Sequence, residues 1–163
     1  MLKHRISARH GRVAEAGRLH IPLIKHCITI ALRYEGVSLP CEVSVLVTDD
    51  KGIRKINHKF RGIDKPTDVL SFPMQEFVPA GWPADAPEHN EAEPRFVALG
   101  DIVLSAQHVK RQARKYGHTL EQETVYLTVH SVLHLLGYDH LDESLGKMRM
   151  REREKKIMLD MGF

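Results

Sequence analysis

The sequence has no long apolar run, and this absence narrows its possible class. A helix needs about 18 consecutive apolar residues to cross a bilayer, and no stretch of the chain reaches that length. The opening segment MLKHRISARHGRVAEAG also lacks the apolar stretch of a secretory signal peptide. We therefore expect a cytoplasmic protein with no membrane partner.

Cysteine is scarce, which argues against a disulfide-stapled secreted scaffold. The only two cysteines are Cys27 and Cys41, and we expect both to be reduced core residues. The chain has 163 residues, of which 42% are hydrophobic and 28% charged, as in an ordinary globular protein. This length fits one domain spanning residues 1–163.

The formal charge of +3 is unevenly distributed along the chain. Residues 76–95 hold five acids and one base, a local charge of −4 that leaves +7 on the remainder. A basic body of this kind suits a polyanionic partner. Four prolines and Trp82 lie between residues 74 and 97, a composition that predicts a long mobile loop.

Hydrophobic periodicity predicts alternating strands and helices. Predicted strands are 4–9, 41–48, 67–72 and 98–105; predicted helices are 16–36, 49–62, 106–116, 118–137 and 142–163. This order favours an α+β domain with helices packed on a mixed, mostly parallel sheet of about four strands. Pro66 and Pro73 bracket the third strand and indicate a position near the sheet edge. Met148 and Ile157 are among the predicted inward positions of the last helix.

Three histidines in HSVLHLLGYDH (130–140) form the strongest candidate site. On a helix, His130 and His134 lie on one face, roughly 6 Å apart along the axis. A continuous helix would carry His140 about 15 Å beyond His130, but Gly137 is suited to end the helix and turn the chain back. Two histidines on an apolar helix are more often ordinary core residues, whereas burying three without partners is costly. We predict that the three bind one metal ion.

Three protein ligands leave an open coordination position, as in catalytic zinc sites. The spacing resembles the metzincin peptidase motif H-E-x-x-H-x-x-G-x-x-H, but Ser131 replaces the glutamate that acts as general base. Peptide hydrolysis is therefore disfavoured, whereas phosphodiester cleavage needs a metal and a nearby cation. Arg61, in NHKFRGIDKPTDVLSFP (57–73), is a candidate cation, although an arginine judged alone is more often a salt-bridge partner.

The segments 57–73 and 130–140, together with LGDIVLS (99–105), resemble the YbeY family of bacterial rRNA maturation factors. The likeness runs from about residue 42 to residue 140. It implies a zincin-like α+β domain with a central metal-bearing helix. It also implies a zinc-dependent, single-strand-preferring endoribonuclease that acts in small-subunit rRNA 3′-end processing and ribosome quality control. The implied partners are single-stranded or precursor rRNA and the small ribosomal subunit with its associated proteins.

Carried over by position, the resemblance assigns one zinc ion per chain to His130, His134 and His140, and a catalytic role to Arg61. Two features depart from the family. Ser131 stands where glycine is usual, and the 74–97 loop is longer and richer in proline. The alternatives to a nuclease are a non-catalytic, metal-containing ribosome-assembly factor and, less favoured, a zincin-type peptidase.

Several other residues allow two interpretations. Asp139 could orient a ligand imidazole or act as a proton acceptor, or it could cap a turn or a helix. Asp68 could hold Arg61, although a surface carboxylate at a strand end is slightly favoured. Trp82 could stack on a base or anchor its loop. The outward face of the 106–116 helix could follow an RNA backbone or be an ordinary solvated face. Its charged residues are Lys110, Arg111, Arg114 and Lys115.

Overall fold

The computed structural model describes residues 2–13, 17–76, 95–138 and 145–163, in which four strands and five helices occur. The strands are β1 (Arg5–His10), β2 (Cys41–Thr48), β3 (Val69–Pro73) and β4 (Val97–Ser105). The helices are α1 (Ile21–Tyr34), α2 (Asp50–Arg61), α3 (Ala106–Tyr116), α4 (Leu120–Leu135) and α5 (Leu145–Asp160). Only the two ends of the predicted 74–97 loop fall within the described ranges, and Trp82 lies outside them.

The strands form one sheet in the order β1-β2-β4-β3. β1, β2 and β4 run parallel, and β3 pairs antiparallel with β4. The prediction of a mixed, mostly parallel sheet is therefore confirmed. β3 lies at the sheet edge, as its flanking prolines indicated, because Pro73 has no N–H for a further ladder bond.

Side chains alternate between two cores on opposite faces of the sheet. On β2, Val43, Val45 and Val47 are buried in the larger core, which includes residues of α1 and α4. Leu46 of the same strand packs instead against the smaller core, where Ile53 of α2 is buried. α4 contacts α1, α3, α5, β3 and β4, so it is the central helix that the sequence predicted.

Capping residues explain where two of the helices begin. α1 begins at Ile21 and not at residue 16, with the His20 side chain accepting a hydrogen bond at the N-cap and Pro22 in the first turn. The predicted capping box of α4 is confirmed, since Thr119 and Gln122 each bond to the other's backbone.

α4 ends in a Schellman motif centred on Gly137, as the predicted helix break required. Gly137 has φ 92°, in the region that favours glycine. Tyr138 N–H donates to Leu133 O at 3.0 Å, and Gly137 N–H donates to His134 O at 3.0 Å. The chain therefore folds back over the end of the helix that carries the histidines.

Burial also tests the cysteine and last-helix predictions. Cys27 and Cys41 are free and buried as expected, and burial raises the pKa of each thiol to about 12. On α5 the inward position Ile157 is confirmed, but Met148 is 67% exposed and Met150 takes the buried place. Among the described residues, no helix has both the length and the apolar character needed to cross a bilayer.

Candidate metal centre

One line of side chains on α4 reaches the surface. Between Glu123 and Leu135, Tyr126, His130 and His134 are the residues that are not buried. They are spaced four residues apart, so they follow one another along a single face of the helix. The central core helix therefore presents the two histidines to solvent and does not bury them as ordinary core residues.

The two histidines direct the same ring nitrogen toward a common point. His130 Nε2 and His134 Nε2 lie 3.1 Å apart, and the ring planes cross at 79°. Two ligands at about 2 Å from one tetrahedral ion would be roughly 3.4 Å apart, close to this separation. The pair therefore fits half of a tetrahedral ligand set.

The turn after α4 fixes the orientation of His134. Its Nδ1 lies 2.9 Å from the carbonyl oxygen of Tyr138. A carbonyl oxygen can only accept a hydrogen bond, so Nδ1 carries the proton and Nε2 carries the lone pair. The Schellman turn at Gly137 thus holds His134 in the tautomer that a metal ion requires.

Glu154 of α5 performs the same task for His130. Its Oε1 lies 2.6 Å from His130 Nδ1, and the residue is only 5% exposed. A carboxylate that accepts from Nδ1–H orients the ring and leaves Nε2 available to a metal ion. The two lone pairs would repel at 3.1 Å without a cation or proton between them, so this donor set suits a metal ion.

Glu154 is a contact of the candidate site that the sequence interpretation missed. It is 24 positions from His130, so no local spacing connects the two. One signal was available: Met150, Glu154 and Ile157 form the buried stripe of α5, and an acid on such a stripe requires a partner. Asp139, for which the sequence allowed either contact with a ligand imidazole or a capping role, lies outside the described residues.

Tyr138 anchors the turn through its side chain. The hydroxyl donates to Glu35 Oε2 on the neighbouring α1 end at 2.6 Å. Burial, followed by the contact with Glu35, raises the pKa of Tyr138 to about 12. The phenol therefore stays protonated near neutral pH and can donate to Glu35. This bond holds Tyr138, whose backbone carbonyl accepts the hydrogen bond from His134, in place.

The third predicted ligand is His140. His140 lies outside the described residues, and the described part of the chain contains no group of three or more His, Cys, Asp or Glu side chains able to hold a metal. Of the three predicted ligands, the described residues include His130 and His134, which the structure brings together. The assignment of His140 stays a prediction.

Arg61 lies at the last position of α2, and its side chain is exposed. Its Nη1 donates to Asn57 Oδ1 at 3.3 Å, while Asn57 Nδ2 donates to Lys65 O at 2.9 Å. Asn57 is buried, so it links Arg61 to the loop that precedes β3. The described contacts do not bring Arg61 against the histidine pair, and its catalytic role stays a prediction.

Asp68 does not pair with Arg61. Its Oδ1 accepts from Val69 N–H at 2.7 Å, and its Oδ2 accepts from Gln112 Nε2 at 3.1 Å. The carboxylate therefore caps the start of β3 and connects it to α3. The favoured reading, a carboxylate at a strand end, is closer to the structure, although Asp68 is half-buried and hydrogen-bonded.

Ser131 faces the core and not the two histidines. It is fully buried, and its Oγ has no hydrogen-bond partner among the described residues. One residue along a helix turns by about 100°, which carries Ser131 off the line of the two histidines. The position therefore supplies no general base to the site.

Comparison with known proteins gives one consistent family. The family model described as Endoribonuclease YbeY matches residues 12–162. A protein named Endoribonuclease YbeY from Clostridium acetobutylicum is 45% identical over 140 residues, which cover 83% of this chain and 84% of that protein. A protein of the same name from Caldanaerobacter subterraneus subsp. tengcongensis is 46% identical over 141 residues, which cover 86% of this chain and 87% of that protein.

A solved structure is similar in fold. The solution structure of TM1509 from Thermotoga maritima superposes with a TM-score of 0.58 at 24% identity. The match covers 93% of this chain and 85% of that one. It supports the same α+β architecture for both chains.

Proposed function

Because this chain belongs to the YbeY endoribonuclease family, we propose that it is a zinc-dependent hydrolase that cuts single-stranded RNA within rRNA precursors. The observation that carries the proposal is the histidine pair, whose Nε2 atoms lie 3.1 Å apart while both Nδ1 atoms are held from outside. A purely structural role for the imidazoles would not require both rings to direct Nε2 toward each other.

The residues proposed to hold one zinc ion are His130, His134 and His140. When bound, zinc would supply Lewis acidity toward a phosphoryl oxygen or a water molecule. Glu154 and the Tyr138 carbonyl hold the two described rings in the ligand tautomer, so the site is preorganised before any substrate arrives.

Arg61 is proposed to stabilise the negative charge that develops on the phosphate. An exposed guanidinium at a helix end, restrained by one hydrogen bond to Asn57, can reorient toward an anion. The assignment rests on its place in the family motif. A peptidase is not supported, since the buried Ser131 cannot replace the glutamate base.

The wider role proposed is small-subunit rRNA 3′-end processing and ribosome quality control in the cytoplasm. Its partners would be the small ribosomal subunit and associated proteins. Support comes from the family and from the charge of +7 outside residues 76–95, which suits a polyanionic substrate.

The test combines metal content by mass spectrometry with cleavage of single-stranded RNA by homogeneous protein. We expect about one zinc per wild-type chain, and loss of both zinc and cleavage in His134→Ala. His118→Ala is the matched control, because His118 contacts Glu123 at 3.0 Å at the other end of α4. Arg61→Glu should abolish cleavage while zinc is retained. Undiminished cleavage by zinc-free protein would contradict the proposal.

A further inference from the structure

A groove between α4 and α5 opens beside the metal centre. It encloses about 370 Å³, within the usual size range of small-ligand pockets. Its apolar lining comes from Tyr126 on α4 and from the end of α5 and the residues after it. These are Met158, Leu159 and Phe163.

The apolar lining of this groove is unusually exposed. Leu159 is 62% exposed, and Tyr126 and Phe163 are each 36% exposed. Two aromatic rings and a leucine that share one concave surface are not explained by packing of the core. They offer flat apolar surface to a ligand.

Cationic side chains border the same groove. Arg151 and Lys155 lie one turn apart on α5 and both line it. Burial and the nearby charge of Glu154 raise the pKa of Tyr126, whereas the positive charge of Arg151 opposes that rise. Aromatic surface next to cations is the combination that binds single-stranded nucleic acid, because bases stack while phosphates pair with Arg and Lys.

The groove is connected directly to the metal ligands. Glu154, which lines it, is the residue whose carboxylate lies 2.6 Å from His130 Nδ1. The Tyr126 and His130 rings are 6.1 Å apart, centre to centre. A base resting on Tyr126 would therefore belong to a nucleotide close to a phosphate at the histidine pair.

We propose that this groove receives one unpaired nucleobase of the RNA beside the cleaved bond, with the base on Tyr126 and Phe163 and a flanking phosphate paired with Arg151 and Lys155. The inference rests on the proposed nuclease function and adds a reason for single-strand preference. A paired base is stacked inside its duplex and cannot enter a groove of this kind.

Binding is measured by fluorescence anisotropy on the zinc-loaded full chain, with a short 2′-O-methylated oligonucleotide whose integrity is checked on a gel. Tyr126→Leu keeps apolar bulk but removes the ring, so its Kd should rise at least about fivefold, the lower end of the loss per stacked base. Tyr126→Phe keeps the ring and should bind like wild type. Tyr34→Ala is the control and should bind like wild type, since Tyr34 is also 36% exposed but lies at the end of α1 and does not line the groove.

Salt dependence tests the phosphate contacts separately. Each phosphate contact on a single strand contributes a slope of about −0.7 in log K against log salt concentration, so Arg151→Gln with Lys155→Gln should flatten the slope by roughly 0.7 to 1.4. An unchanged slope would remove the two cations from the proposal.

Two outcomes would overturn the base subsite. One is equal RNA affinity in wild type and Tyr126→Leu. The other is a Phe163→Asp variant that changes sedimentation but not RNA affinity, which would make the groove an interface between copies of the chain. If the proposed nuclease function were wrong, no preparation would cut RNA, but Tyr126→Leu would still weaken RNA binding. Failure of the proposed function can therefore be distinguished from failure of the base subsite.

Discussion

Replacing Glu154 by glutamine tests the link between α5 and the metal centre. Glutamine has the same shape, and its amide oxygen can still accept from His130 Nδ1–H, but the negative charge is lost. Charge-assisted bonds are roughly twice as strong as neutral ones, and the wild-type contact is short at 2.6 Å. We expect zinc affinity to fall about tenfold in Glu154→Gln and nearer a hundredfold in Glu154→Ala, the usual range for partners of metal-bound histidines.

Competition between the protein and a fluorescent zinc chelator measures this affinity. Folding must be checked in parallel by urea denaturation, because Glu154→Ala also removes a hydrogen bond between a buried carboxylate and a half-buried ring nitrogen, at a cost of about 1–3 kcal/mol. The matched control is Glu123→Gln, since Glu123 is equally buried on α4 and its Oε2 lies 3.0 Å from His118 Nδ1. Glu123→Gln should lower the free energy of unfolding about as much as Glu154→Gln does, but it should keep wild-type zinc affinity.

The reasoning is refuted if Glu154→Gln binds zinc within about twofold of wild type. It is also refuted if Glu123→Gln weakens zinc binding as much as Glu154→Gln does, because the effect would then come from general loosening of α4. Either result would leave the short contact between Glu154 and His130 as a structural pair only.

Three further predictions concern the scaffold. Tyr138→Phe removes the 2.6 Å bond to Glu35, so urea denaturation should show a loss of about 1–3 kcal/mol and chelator competition a weaker zinc site. Burial raises the pKa of the Cys27 thiol to about 12 in the folded chain, against about 9 when unfolded, so the folded state favours the neutral thiol. This contribution to stability is complete below pH 9 and is lost as the pH rises from there toward 12. Urea titrations should show that the free energy of unfolding falls over this range, and that it falls less in Cys27→Ala. Gly100→Ala should destabilise strongly in thermal melts, because a Cβ at this position would clash with the backbone oxygen of Phe72 and the φ of 142° favours glycine.

Short-range patterns predicted much of the fold and, within the described part of the site, the histidine pair but not the groups that orient it. The positions of the strands follow from alternating apolar residues, and the edge position of β3 follows from the prolines around it. The four-residue spacing of His130 and His134 likewise placed their Nε2 atoms next to each other. Gly137 was identifiable because a third histidine six residues after His134 required a break. These features depend on residues near one another in sequence.

The missed features depend on how distant segments pack. Glu154 meets His130 only because α5 docks on α4, and no periodicity within either helix encodes that contact. The inward face of α5 was misassigned at Met148 for a related reason: the helix is charged along most of its length, so its apolar stripe is too sparse to phase correctly. Arg61 was proposed from its motif. Its bond to Asn57 joins residues four apart on α2, a local spacing that the sequence shows and that the sequence interpretation did not use.

The candidate metal centre connects three segments that are far apart in the chain. α4 supplies the paired rings, the turn at Tyr138 holds one of them and is itself held by Glu35 at the end of α1, and α5 holds the other through Glu154. A ligand that binds only the folded arrangement stabilises it by RT ln(1 + [L]/Kd), about 2.7 kcal/mol at a hundredfold excess over Kd. Zinc at this position would thus stabilise the docking of α5, and with it the proposed base subsite along α5. Metal loading and the shape of the RNA groove are therefore expected to be coupled through one carboxylate.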